Sequence, residues 1–265
     1  MSETASRICV IVPTYNNAAT LREVLDRILA VHRPVIVVND GSTDATADIL
    51  AGFGNSVEVV THAVNRGKGA ALVSGFHHAA ACGYTHAITI DSDGQHFPED
   101  IPAVLQAHAA NPAAIVVGQR DIEARNMPGK NTFTNKFSNF WFYIQTGVKL
   151  RDTQTGFRLY PLQQLRGLRC ITSRYEAELE LMVYASWHGT RIVSVPIRVH
   201  YPPAGVRVSH FRPGRDFARI SVLNTVLCFF TVVYAWPLRG ARAVRRLFGG
   251  NGRSRSSKLH TGNAI

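Results

Sequence analysis

Between Ile8 and Arg120, short runs of β-branched residues alternate with amphipathic or alanine-rich segments, and few folds accommodate that rhythm. "ICVIVP", "PVIVVND", "VEVVTH", "THAITID" and "AAIVVGQR" read as strands. "TLREVLDRILAVH", "TDATADILAGF", "GKGAALVSGFHHAAACG" and "PEDIPAVLQAHAA" read as the helices between them. A strand made of a continuous Val/Ile run is apolar on both faces and needs cover on both, which crossover helices supply in a parallel sheet. The fold class is therefore α/β, a mostly parallel sheet flanked by helices, with ligands expected at the carboxyl ends of the strands. After Arg120 the rhythm breaks. "DIEARNMPGKN" reads as a loop, "TFTNKFSNFWFYIQTGV" as an aromatic-rich helix and "RDTQTGFRLYP" as a loop running into a short strand. "RYEAELELMVYASWHG" reads as a helix, and "TRIVSVPIRVHYP" as an edge strand because Pro196 has no N–H for a ladder. Phe137, Phe140, Trp141 and Tyr143 are read mainly as core, with contact to a lipid as the other reading.

The strand ends carry the polar residues. They run Pro13-Thr14-Tyr15-Asn16-Asn17, Asn39-Asp40-Gly41-Ser42-Thr43-Asp44, Asn65-Arg66-Gly67-Lys68-Gly69 and Asp91-Ser92-Asp93-Gly94-Gln95-His96. Singly, each is an ordinary turn or helix cap. Together, a parallel sheet places all of them on one rim. An aromatic and a carboxylate there can hold a nucleoside base, and a lysine between glycines can approach phosphates closely. "GKG" lacks the full phosphate-loop spacing, and no Gly-x-Gly-x-x-Gly follows the first strand. Asp91-x-Asp93 with the Gln95 amide suits Mg²⁺ or Mn²⁺, which take carboxylates together with diphosphate oxygens.

Charge and hydropathy set the far end of the chain apart. The net charge is +11, yet from Val206 onward eleven basic residues face the single acid Asp216, so the first 205 residues are close to neutral. A basic surface throughout would have pointed to nucleic acid; charge confined to one end beside an apolar run points to an anionic membrane surface. That run, Ile220 to Leu238, has 19 residues without a charge. It would just cross a hydrocarbon core of ~30 Å, although Asn224, Thr225 and Pro237 weaken it as a span. A buried core helix is the competing reading. The expected organisation is a catalytic domain over 1–205, a membrane-associating segment over 206–238 and a basic tail over 239–265. Cys9, Cys82, Cys170 and Cys228 are scattered without a disulfide or zinc spacing, so a reducing compartment is expected. The start of the chain reads as mature sequence. His77 and His78, adjacent on a helix, face different directions and are read as non-ligands.

"VIVPTYNN", "VIVVNDGSTDAT", "NRGKGAAL", "AITIDSDGQHFPEDIP" and "RDTQTGFRLYP" resemble, in order, the motifs of family 2 glycosyltransferases of the Rossmann-like GT-A fold. The nearest subgroup is the polyprenyl-phosphate, dolichol-phosphate mannose synthase-like enzymes, and the likeness covers about residues 8–200. By that resemblance Pro13, Tyr15, Asn16 and Asp40 belong to the nucleoside side of the site, with Lys68 toward the phosphates. Asp91 would approach the ribose and metal, while Asp93 and Gln95 would hold the metal against the diphosphate. Arg120 would meet a donor or acceptor phosphate, and Asp152 would face the acceptor with Arg158 close by. Arg174, Tyr175, Glu176, Ser209, His210 and Arg212 resemble later acceptor-side elements. Asn17 and Asn39 depart from the family, standing where it commonly has Glu and Asp. Lys130, Asn131, Asn135 and Lys136 occupy the stretch that holds the acceptor phosphate in the lipid-phosphate enzymes.

The implied activity is metal-assisted, inverting transfer from a UDP- or GDP-linked sugar to a polyprenyl phosphate. It would take place at the cytoplasmic face of the cell membrane, on a peripheral or single-span protein. Two alternatives stand beside it: transfer to a hydroxyl, for which Asp152 is the candidate base, and a nucleotide-sugar-binding protein without catalysis. His96 either joins Asp91 and Asp93 or merely follows them in the chain.

Overall fold

The Val/Ile runs form strands where the pattern places them: β1 (Ile8–Thr14), β2 (Val35–Asn39), β3 (Glu58–Thr61), β4 (His86–Thr89) and β5 (Ile115–Arg120). Two more, β6 (Arg158–Pro161) and β7 (Ile192–Ile197), complete a seven-stranded sheet of order β3-β2-β1-β4-β6-β5-β7. This computed structural model describes residues 6–120, 129–168, 170–200, 213–238 and 240–241, with backbone alone at 129–133 and 213–218. The side chains of Lys130 and Asn131, all of Ser209, His210 and Arg212, and nearly all of the basic tail lie outside the described residues.

The helices are α1 (Ala18–Val31), α2 (Thr46–Ala51), α3 (Lys68–Ala81), α4 (Ile101–Ala110), α5 (Gly129–Thr146), α6 (Leu162–Leu165), α7 (Glu176–Trp187) and α8 (Pro213–Phe230). They cover both faces of the sheet. In β1 the alternation is explicit: Val10 and Val12 pack with Leu21, Leu25, Ile101 and Val104 of α1 and α4. Cys9 and Ile11 turn the other way, into a core shared with Phe76, Phe142 and Met182 of α3, α5 and α7.

Strand β7 lies at the edge, as Pro196 requires, parallel to β5. Strand β6 is where a parallel sheet gives way: it is inserted between β4 and β5, antiparallel to both. The connection from β5 through α5 does not return to the opposite end of the sheet, so "RDTQTGFRLYP" enters from the rim where the other strands end. That reversal delivers the 151–157 loop to the carboxyl-end rim.

The aromatic helix α5 is only partly core. Phe142 is fully buried, whereas Phe140 and Tyr143, read from sequence as mainly core, are exposed along with Ile144. Removing a buried ring such as Phe142 costs about 3–5 kcal/mol, so α5 is a fixed wall that presents its other aromatics outward.

The apolar stretch from Arg219 to Leu238 is the one helix among the described residues long and apolar enough to cross a membrane by length and composition. It does not stand free. Leu223, Leu227, Thr231 and Ala235, spaced by four, are buried against the body. A spacing of four drifts around an ordinary helix, and the wider π turn at Thr231–Ala235 brings the stripe back into line. Asn224, unfavourable in lipid, is buried and accepts a hydrogen bond from Gln145 Nε2 at 3.0 Å. Val222, Phe229, Val232, Val233 and Trp236 remain exposed on the opposite side, Phe229 at 62% and Trp236 at 56%.

Candidate active site

The rim encloses a cavity of about 890 Å³, walled by the ends of β1, β2, β4 and β5, the loop before β6, and α5, α7 and α8. Pro13, Tyr15, Asp40, Lys68, Asp91, Asp93, Gln95, Arg120 and Arg158, nine of the positions expected from sequence, all line it. Asn16 and Asp152 do not, and the reason is geometric in both cases.

Asn16 adopts a left-handed backbone (φ 47°) and turns its side chain onto the loop after β2. There its Oδ1 accepts from the Thr43 N–H at 2.7 Å, while its own N–H donates to Ser42 Oγ at 3.0 Å. Asn16 thus ties two rim loops together. Asp40 is 2% exposed and holds the next loop: its carboxylate accepts from the Arg66 and Gly67 N–H groups at 2.9 and 2.7 Å, with His62 Nδ1 at 2.6 Å. Gly67 has φ 98°, a conformation that side chains rarely tolerate.

Asn17 has a larger role than its sequence reading gave it. Its Nδ2 donates to the Ser92 carbonyl at 2.6 Å and to Ser92 Oγ at 3.0 Å, and Thr20 Oγ1 donates to the same carbonyl at 2.6 Å. Ser92 lies between the two aspartates, so Asn17 fixes the loop that aims both. A glutamate there could not donate these bonds, which accounts physically for the amide. Its Oδ1 is buried without a hydrogen-bond partner, and Asn17 itself lines the cavity.

Lys68 reaches the cavity, but its ammonium is held between Asp91 Oδ1 at 2.7 Å and Glu178 Oε2 at 2.8 Å. Burial alone would lower the lysine; the two carboxylates outweigh it and hold Lys68 above its ordinary range. Asp91 is the mirror case: burial would raise it, and Lys68, then His96 and Arg158, hold it below the usual carboxylate range. Gly156 lies against Asp91, where a methyl group would overlap the carboxylate. Asp93 Oδ1 accepts the Gln95 N–H at 3.0 Å, and Gln95 is itself buried. His96 is buried, its Nδ1 has no partner, and burial pushes the ring down to about 4, so it is neutral at physiological pH.

Asp152 points away from the cavity and fixes Arg120. Its carboxylate accepts from Arg120 Nε at 2.6 Å, Nη2 at 2.9 Å and the backbone N–H at 3.3 Å. Asn135 Nδ2 at 2.7 Å and the Gln154 N–H at 3.1 Å complete the set. Burial would raise Asp152, and Arg120, then Asn135 and Gln154, hold it below its usual value. Asn135, expected near an acceptor phosphate, is thus buried on Asp152. Lys136 is exposed. Arg158, 1% exposed, buttresses the wall by donating to the Tyr160 hydroxyl and to the Glu178 and Thr153 carbonyls. Arg174, Tyr175 and Glu176 line the opposite side.

Sequence reasoning passed over Glu178 as the partner of Lys68. A signal was present: Glu176, Glu178 and Glu180 alternate with apolar residues, a spacing that cannot keep all three on one solvated helix face. All three are buried.

A mostly parallel α/β sheet whose carboxyl-end rim joins a paired aspartate loop to fixed cations is the setting in which such sheets bind phosphorylated ligands. The family model for glycosyl transferase family 2 matches residues 9–163, and the chain belongs to that family. It is similar to an undecaprenyl-phosphate mannosyltransferase from Micrococcus luteus, 32% identical over 202 residues that cover 72% of this chain and 82% of the relative. A polyprenol monophosphomannose synthase from Mycolicibacterium smegmatis is 32% identical over 205 residues, covering 72% and 76%. Among solved structures, glucosyl-3-phosphoglycerate synthase from Mycobacterium tuberculosis, in complex with Mn²⁺, UDP and phosphoglyceric acid, shares the fold. It has a TM-score of 0.64 at 21% identity, covering 87% of this chain and 78% of that one. The protein is a glycosyltransferase of GT-A architecture.

Proposed function

We propose that this enzyme transfers a sugar from a nucleoside-diphosphate sugar to a polyprenyl-phosphate-type lipid while lying on an anionic membrane. The carrying observation is the outer surface of the cavity wall. α5 and α8 contribute Thr134, Ser138 and Ile220 to the cavity, while α5 and the apolar stretch Arg219–Leu238 present Phe140, Tyr143, Ile144, Val222, Phe229 and Trp236 to the outside. An exposed apolar face followed by a basic tail suits a lipid interface. The buried stripe of α8 favours a helix lying on the membrane over one crossing it, because crossing would strip Leu223, Leu227 and Asn224 from their partners. The names of the relatives in Micrococcus and Mycolicibacterium support the acceptor class.

The donor set fits a hard divalent cation: two carboxylates and the Gln95 amide on one loop, with Gly156 leaving room beside Asp91. Asp91, Asp93 and Gln95 would hold Mg²⁺ or Mn²⁺, which would neutralise charge building on the departing nucleoside diphosphate. An acceptor phosphate arrives ionised, so its oxygen forms the bond to the anomeric carbon as the bond to the diphosphate breaks, with inversion and no proton to remove. Arg120, aimed by Asp152, is the cation placed for a phosphate in the cavity. Expected outcome: radiolabelled sugar moves into the organic phase only when polyprenyl phosphate is supplied. Label that moves only onto water-soluble hydroxyl acceptors would overturn the reading.

One observation favours a hydroxyl acceptor instead. Glu176 lines the cavity, and its buried Oε2 has no hydrogen-bond partner, which leaves that oxygen available to an acceptor hydroxyl. Glu176→Gln separates the two. Transfer to a lipid phosphate stays within about threefold of wild type, whereas loss of a general base removes 10²- to 10⁴-fold. Membrane docking is read independently: Phe229→Ser with Trp236→Ser lowers binding to anionic vesicles by about 100-fold, two large apolar side chains being lost from the interface. Unchanged co-sedimentation would place the membrane contact elsewhere.

A further inference from the structure

Away from the cavity, at the other end of α3, three side chains of different chemistry converge. His78 and Cys82 lie four positions apart and share one helix face, while Glu58 is the first residue of the edge strand β3. The Cys82 Sγ lies 3.7 Å from His78 Nε2 and 3.8 Å from Glu58 Oε1, and the last two atoms are 2.7 Å apart. Around a tetrahedral zinc ion, bond lengths of ~2.0 Å to N or O and ~2.3 Å to S imply S···N and S···O separations of ~3.6 Å. Two of the three separations already match. The third only has to open as an apo His–Glu contact gives way to a shared ion.

We propose that Glu58, His78 and Cys82 form a binding site for a zinc-class divalent cation on the face opposite the sugar-transfer cavity. Its three ligands are a thiolate, an imidazole and a carboxylate. That set selects Zn²⁺ over the hard Mg²⁺ and Mn²⁺ suited to the aspartate loop, so the two sites sort different metals. Glu58 is exposed and His78 and Cys82 are partly so, which leaves a fourth position open to water. Binding converts the Cys82 thiol to a thiolate, forming the metal–sulfur bond and releasing one proton to solvent. Lys68 at the head of α3 lies in the cavity and His78 ten residues on, ~15 Å along the helix axis. The ion therefore acts as a clamp between α3 and the sheet edge and takes no part in sugar transfer. Sequence spacing hid the site: His78-x3-Cys82 supplies two ligands, but the third comes from a strand twenty residues upstream.

Cobalt is the probe, because thiolate ligation gives a ligand-to-metal charge-transfer absorption that oxygen ligands do not. Titrating the reduced full-length chain with Co²⁺ gives that band at one equivalent, and Zn²⁺ abolishes it by displacement. Cys82→Ser removes the band. His78→Ala and Glu58→Gln weaken affinity by at least the ~10-fold that follows loss of even a supporting partner. None of the three belongs to the packed core, so thermal melting of the apo variants matches wild type. Asp93→Asn leaves the band intact. The proposal is overturned if no thiolate band forms, if it survives Cys82→Ser, or if zinc binding is lost in Asp93→Asn alone.

Discussion

Asp93→Asn abolishes sugar transfer, lowering kcat/KM by at least ~10³-fold, while its melting temperature stays within a few degrees of wild type. If Asp93 holds the divalent cation as proposed, the size follows from removing a charged ligand where the departing diphosphate would gather charge, an environment where one lost group is worth several kcal/mol. The stability half follows from the site: Asp93 is partly exposed, and the Gln95 N–H that it accepts sits in the loop that Asn17 independently pins through Ser92. Asp91→Ala differs in kind. It also abolishes transfer, but it leaves the Lys68 ammonium with Glu178 alone, and so it melts earlier. Steady-state kinetics with Mg²⁺ and Mn²⁺, paired with thermal melting, separate the two effects. Activity retained in both variants would remove the aspartate loop from the chemistry.

What the sequence made legible, and what it hid, divides along range. The parallel core was readable because β-branched runs and helical periods are local properties: Val10 to Val12 and Val35 to Val38 announce strands without knowing their neighbours. The rim was readable for the same reason, since strand ends in a parallel sheet converge whatever the details. The insertion of β6 was not readable, because direction within a sheet is decided by a connection whose path depends on α5 and the 151–157 loop. Partnerships within the site were hidden in the same way. Asp152 stands in a motif expected to face the acceptor, yet its partner Arg120 is 32 residues away, and only their meeting shows the carboxylate to be fully occupied. Asn17 looked like a departure from its family until Ser92, 75 residues on, supplied the carbonyl that an amide is needed to hold. Phe140 and Phe142 lie two positions apart on one helix, and composition alone could not tell which would face the core.

Asp152→Asn is expected to be the most destabilising single change in the site, costing about 3–5 kcal/mol at neutral pH. The substitution removes one member of a buried ion pair and turns an amide N–H toward the Arg120 donors, leaving a guanidinium that is 11% exposed without its counter-charge. Five hydrogen-bond donors converge on the native carboxylate, so solvent cannot replace what is lost. The pH dependence gives the test its sign. Asp152 is held below its ordinary value, so its contribution is complete above the unfolded carboxylate pKa of ~3.9 and disappears as pH falls through its lower folded value. The gap between wild type and Asp152→Asn in urea unfolding is therefore widest near neutrality and narrows below about pH 4. Transfer drops about 100-fold as well, because Arg120 is no longer aimed into the cavity. Arg120→Lys, which keeps the charge but not the fork, shares part of that loss. A general base would behave differently: Asp152→Asn would fold with wild-type stability and lose only transfer to hydroxyls, together with the acidic limb of the pH–rate profile. That outcome would return Asp152 to the chemistry and leave Arg120 without its positioning partner.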